Sequence, residues 1–166
     1  MKTLQSPYIV IPFWGAVAGA MLAGTGPFWL AAIGLGVWPL VEYSAHRWGM
    51  HALERRWPRF YKRAHGVHHR YPGDLSHFTI PIPVVLVVVV VLALALHVAG
   101  VGLVALGGLL VGYVLYDLAH LAAHGLIPFP FRRALVRHHA RHHANQACNF
   151  GVSAPWIDRL FGTRAP

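Results

Sequence analysis

Residues 81–99 read PIPVVLVVVVVLALALHVA, an apolar run broken by a single polar side chain, His97. In water the β-branched stretch 84–91 would favour a strand. Uninterrupted apolar sequence of about 20 residues is instead what a helix needs to cross roughly 30 Å of hydrocarbon, where every backbone polar group must pair internally. The run is therefore expected to be a transmembrane helix. Three further stretches, 8–23, 27–43 and 101–121, pass the same reading. Four spans are expected.

Composition agrees with that reading. Of 166 residues 56% are hydrophobic and 11% charged, with a mean hydropathy of +0.49, which excludes an ordinary soluble domain. The 14 Lys+Arg against 5 Asp+Glu give a formal charge of +9. Their distribution assigns them to topology rather than to nucleic acid. The turns at 24–26 and near Gly100 hold no basic residue, whereas the long polar segments 44–80 and 122–166 hold nearly all of them. With Lys2 on the same side, every basic residue falls on one face, the positive-inside pattern, and that face with both termini is placed in the cytoplasm. The first span, behind the single basic Lys2, is read as a span rather than a cleaved signal peptide. A lone cysteine, Cys148, rules out an intramolecular disulfide.

Thirteen histidines are the outlier, and ten of them form a repeat. Adding 74 to His46, His65, His68 and His69 gives His120, His139, His142 and His143; only the pair His51 and His124 is off, by one residue. Each half is thus two spans, a histidine pair at the cytoplasmic end of the second, then H-x-x-H-H on the following segment. An even number of crossings per half relates the halves by an axis along the membrane normal. Residues at i, i+3 and i+4 share a helix face, so each H-x-x-H-H presents three imidazoles together and His120 pairs with His124. His46 and His51, five apart, diverge by about 140° on an ideal helix and require a distorted helix end or different metals.

Ten imidazoles exceed the needs of one ion, so a binuclear centre at the membrane boundary is expected. Such a site lies against hydrocarbon and its substrate should be a lipid. Attack on an unactivated C–H bond requires O2 activation, which redox-inert zinc cannot perform, so two iron ions are expected, with zinc as a substitute in purified protein. Asp117, one turn before His120, and Glu42, four before His46, are placed where a carboxylate would receive a ligand's second ring N–H; Tyr116 is placed to point a hydroxyl at the site. His77, His97 and His138 fall outside the repeat and are read as structural.

The motif order H-x4-H, H-x2-H-H, H-x3-H, H-x2-H-H resembles the membrane fatty acid hydroxylase and sterol desaturase superfamily. Residues 65–74 (HGVHHRYPGD) and 116–125 (YDLAHLAAHG) look most like fatty acid 2-hydroxylases, and the tail 149–152 (NFGV) with 156–163 (WIDRLFGT) is similar to the superfamily's C-terminal signature. The resemblance implies one domain over 1–166: an all-α membrane protein of four transmembrane helices under a histidine-rich helical cap. It implies a di-iron monooxygenase hydroxylating an acyl chain next to the carboxyl, with His46, His51, His65, His68, His69, His120, His124, His139, His142 and His143 as ligands and Tyr116 and Asp117 as motif neighbours. Relatives with this motif style often carry a fused cytochrome b5 domain, for which 166 residues leave no room, so electrons are expected from a separate donor of cytochrome b5 or ferredoxin type. The compact length is also reminiscent of carotenoid ring hydroxylases. A carotenoid or sterol substrate, and a metal-binding protein without catalysis, are the alternative readings. On the acyl reading Arg70, Arg132 or Arg133 could hold the lipid head.

Overall fold

The computed structural model describes residues 2–24 and 26–166, and its regular structure is all helix, with no strand among those residues. Met1, where the reading of the chain start falls, and Thr25, in the first short turn, lie outside the described residues. Four long helices carry the apolar stretches: α1 (Pro7–Leu22), α2 (Trp29–Ser44), α5 (Ile82–Val98) and α6 (Val104–Ala123). Short helices α3 (Pro58–Tyr61), α4 (Val67–Arg70) and α8 (Ile157–Leu160), together with the longer α7 (Arg132–Ala144), build the cap.

The β-branched run that opened the sequence reading is α5, so the helix expectation holds there. Two stretches, Leu75–Val98 and Val104–Ala123, are long and apolar enough to cross a membrane, while α1 is apolar but shorter. The α2 helix has 16 residues and then runs directly into the cap as a π-helix, Ala45–His51.

The central element is α6. Its buried positions include Leu106, Leu110, Tyr113, Ala119 and Ala122, which form one apolar core with Val10 and Trp14 of α1, Val89 of α5 and Leu135 of α7. Close approach to α2 depends on absent side chains: a Cβ on Gly108 would stand 2.0 Å from the Ala31 carbonyl oxygen, and one on Gly34 2.0 Å from that of Ala105. Such small-residue contacts replace the hydrophobic driving force that helices lack in lipid. In contrast α5 turns Val87, Val88, Val91 and Leu94 outward and buries only Val89.

The cap is pinned to the long helices by its C-terminal tail. Glu42 on α2 accepts the backbone N–H groups of Val152 and Ser153, the Ser153 hydroxyl and the Trp38 indole N–H. The carboxylate placed by sequence beside His46 is therefore a tail anchor.

Candidate metal centre

All ten patterned histidines converge at the junction of the long helices and the cap, in two groups of five. One group is His46, His51, His65, His69 and His142; the other is His68, His120, His124, His139 and His143. Within each group the ring nitrogens lie within 4.8 Å of one another. Each H-x-x-H-H triplet divides: its outer two histidines stay with their own half, and its middle one, His68 or His142, crosses to the other. The 74-residue repeat maps one group onto the other, so the exchange is reciprocal.

The mismatch at His51 and His124 has a local cause. His120 and His124 are one α-helical turn apart, with their Nε2 atoms 3.2 Å from each other. His46 and His51 span five residues, but on a π-helix, whose hydrogen bonds run i to i+5, that spacing returns to the same face. Their Nε2 atoms stand 3.3 Å apart. The extra residue of the first half is absorbed as a π-turn, and the distorted helix end expected from the sequence is what the structure contains.

The Nε2 separations make a closed loop in the first group: His46–His65 3.0 Å, His65–His69 2.8 Å, His69–His142 3.2 Å, His142–His51 3.2 Å and His51–His46 3.3 Å. In the second, His120, His139 and His124 form a triangle of 3.0, 3.0 and 3.2 Å, with His143 3.1 Å from His139. A neutral imidazole nitrogen is either a donor or an acceptor. Hydrogen bonding around a loop requires the two to alternate, which a loop of five or three members cannot do. Protonating the rings to supply donors is opposed by burial, which pushes His51, His124, His142 and His143 down to about 4, with repulsion from neighbouring rings adding to it. Five lone pairs aimed at a shared centre are the arrangement a cation resolves: nitrogens about 2.1 Å from an ion and at right angles stand about 3.0 Å apart. The residues fit a metal ion in each group.

Two of the rings are oriented from behind. The His46 Nδ1–H donates to the Phe150 carbonyl at 2.6 Å and the His142 Nδ1–H to the Cys148 carbonyl at 2.7 Å, leaving each Nε2 with its lone pair toward the group. Asp158 holds the Phe150 carbonyl in place. Fully buried, it accepts the backbone N–H groups of Phe150 and Gly151, each at 2.8 Å, the Thr163 hydroxyl at 2.7 Å and a contact from His138 Nε2 at 3.1 Å. Burial alone would raise its pKa; these donors outweigh it and hold the carboxyl below its ordinary range. Asn149, with a left-handed φ of 57°, ties the same tail to the His138 carbonyl. In sequence, Asn149 and Asp158 stand out only as members of the tail motif. The available signal was scarcity, since only five acids exist to serve the whole chain.

Asp117 is also fully buried, but neither oxygen has a hydrogen-bond partner among the described residues, and His120 Nδ1 is likewise unpartnered. Tyr116 stacks on the His120 ring, centroids 5.6 Å apart. Arg132 donates to the Gly125 carbonyl and Arg70 lies over Tyr71. The remaining histidines serve elsewhere: His77 bonds Asp74 and Ser76, His138 meets Asp158, and His97 sits at the far end of α5.

An apolar cavity of about 250 Å³ opens beside the groups. Met50 and Ala64 of the cap form one end, and Val41, Val89, Leu92 and Leu106 carry it along α2, α5 and α6.

Comparison with known proteins places this architecture. The family model described as fatty acid hydroxylase matches residues 31–163. The chain is 32% identical to a dihydroceramide fatty acyl 2-hydroxylase of Arabidopsis thaliana over 81% of its own length and 60% of the relative's. It is 30% identical to the ceramide very long chain fatty acid hydroxylase scs7 of Schizosaccharomyces pombe, covering 98% and 52%, and 36% identical to the Homo sapiens fatty acid 2-hydroxylase, covering 82% and 40%. It thus spans between two fifths and three fifths of those relatives. The solved structure of full-length scs7p, in which only the hydroxylase domain is visible, superposes with a TM-score of 0.86 at 26% identity, over 99% of this chain and 69% of that one. The chain belongs to the fatty acid hydroxylase family.

Proposed function

We propose that the ten histidines bind two iron ions and that the chain hydroxylates a lipid acyl chain at the 2-position. The balance is R–H + O2 + 2 e− + 2 H+ → R–OH + H2O, with the electrons from a separate carrier protein. Iron would supply the O2 activation that zinc cannot. The observation that carries this reading is the pair of odd-membered nitrogen loops, which ordinary hydrogen bonding leaves unsatisfied. The names of the relatives, hydroxylases of fatty acids and ceramides, supply the substrate class.

The chain's own residues supply position and exclusion. We read residues 1–166 as one domain with α1, α2, α5 and α6 as four spans and the cap on the cytoplasmic side. The outward valines and leucines of α5 then face lipid. The cavity lined by Val89, Leu92 and Leu106 takes one acyl chain, and its apolar walls exclude water along the chain's length. Phe78, with ring centroids 5.0 Å from His68 and 4.5 Å from His120, shields the second group with hydrocarbon. Tyr116 packs beneath His120, and Asp117 offers its carboxylate one turn before that ligand.

Production under iron-replete conditions, followed by metal analysis and lipid mass spectrometry in a host lacking 2-hydroxy acyl chains, tests the reading. Two irons per chain and new 2-hydroxy acyl species are expected. An unchanged acyl profile with both irons bound and reductant supplied would overturn it.

A further inference from the structure

The outer side of α7 carries a second concavity that the hydroxylation reading leaves without a use. A pocket of about 330 Å³ is lined by Arg137, His138, Arg141, Trp156, Arg159 and Arg164. All four guanidinium side chains and the Trp156 indole are exposed. Among the described residues the only carboxylate pairings are His77 with Asp74 and His138 with Asp158, so no acid neutralises these arginines. Positive-inside bias explains the sign of this face, but not the gathering of four arginines around one hollow with a tryptophan on its rim.

Its position gives the hollow a purpose. His138 and Arg141, which line it, alternate along α7 with the buried His139 and His142, one from each histidine group. The pocket and the centre are therefore two sides of one helix, about 10–12 Å across. Arginine presents a planar fork that pairs with carboxylates, and exposed tryptophan with arginine is the composition of protein-binding hot spots.

We infer that the Arg137/Arg141/Arg159/Arg164 pocket is the docking surface for an acidic one-electron carrier protein, placed to feed the histidine centre through α7. The inference rests on the hydroxylase reading, because two electrons enter per turnover. Two reduced carriers dock in succession, and each leaves oxidised by one electron.

The test uses the full chain, iron-loaded in detergent or nanodiscs of neutral lipid, with an acidic soluble cytochrome b5 domain and a plant-type ferredoxin as probes. Binding of at least one probe is expected to weaken as salt rises. Arg137→Glu with Arg159→Glu should weaken it at least tenfold and slow carrier-driven reduction of the iron in stopped flow. Iron content and reduction by dithionite should stay unchanged, which separates a lost dock from a lost fold. Failure of both probes to bind the unaltered chain, or equal binding by the double variant, overturns the inference. So does a double variant that loses affinity only for vesicles containing anionic phospholipid, which would make the pocket a headgroup site. Hydroxylation driven by dithionite is scored separately: its absence counts against the hydroxylase reading, while the binding measurements decide the dock.

Discussion

The two histidine groups contain the same number of rings from equivalent repeat positions, yet they are built differently. The first takes His46 and His51 from a π-turn, and two of its rings are held from behind by the Phe150 and Cys148 carbonyls. The second takes His120 and His124 from a regular α-helical end, and none of its rings is held by a tail carbonyl: the Nδ1 atoms of His68, His120 and His139 have no partner among the described residues, as is true of His51 and His69 in the first. One ligand set is thus reached by two backbone routes. The tail that follows α7 stiffens only one of them. Pre-organised ligands bind more tightly than rings that must be ordered on binding, so the first group is expected to retain its ion longer.

The sharpest test of this pairing is a comparison of double variants. If His142 belongs with His51, His142→Ala/His51→Ala should remove one metal per chain and leave the other. His142→Ala/His124→Ala, which pairs two residues of the same sequence half, should damage both groups and drive metal content toward zero. Metal analysis of the purified variants decides it, and the opposite pattern would break the exchange of middle histidines. Activity is expected to fall to background in both.

Asp158→Asn comes next. It weakens the acceptor that fixes residues 150 and 151 and should lower metal affinity in the first group by about 10–100-fold, with less effect on the second. Chelator competition resolving two affinities measures this; equal loss at both would remove the asymmetry.

Acid should act on both groups. A histidine whose folded pKa is depressed contributes fully above its unfolded value and loses that contribution as pH falls. For His51, His124, His142 and His143 the window runs from 6.5 down to about 4. The melting temperature of metal-free protein should therefore be flat above pH 6.5 and decline steadily below it. A flat profile down to pH 4 would contradict burial of these rings.

Deleting Gly49 should be mild. It shortens the π-turn to the four-residue spacing of His120 and His124. Metal content should remain at two, with affinity changed by less than about tenfold. Loss of the first ion would show that the π-turn does more than absorb one residue. Smallest of all, His97→Ala should leave metal content intact and stability within about 0.5 kcal/mol, as for surface changes away from special features.

Much of this was legible in the chain itself. Hydrophobic length identified α5 and α6, because apolar runs of that extent have few alternatives to helix. The 74-residue repeat disclosed ten histidines and implied two ions, because ligand type and count are local properties. The odd spacing of His46 and His51 called for a distorted helix end or for different metals, and the structure contains the first. Less was legible in the carboxylates. Glu42 sits near His46 in sequence but reaches across more than a hundred positions to Val152 and Ser153. The His46 ring N–H that sequence assigned to Glu42 goes instead to the Phe150 carbonyl, and the His142 ring N–H, for which sequence named no partner, goes to that of Cys148. Carbonyls have no sequence signature, since every residue carries one.

The amino-acid order by itself determined the helical class, the number of nitrogen donors and the place of four of them at the ends of apolar helices. Only the tertiary structure decided which five rings share a centre, because His68 and His142 cross between halves and a repeat is silent about crossing. It also decided that Asp158 steadies the centre from behind and that four arginines meet in one hollow. Those are contacts between segments distant along the chain, and they exist only after α7 and the tail have packed against α2 and α6.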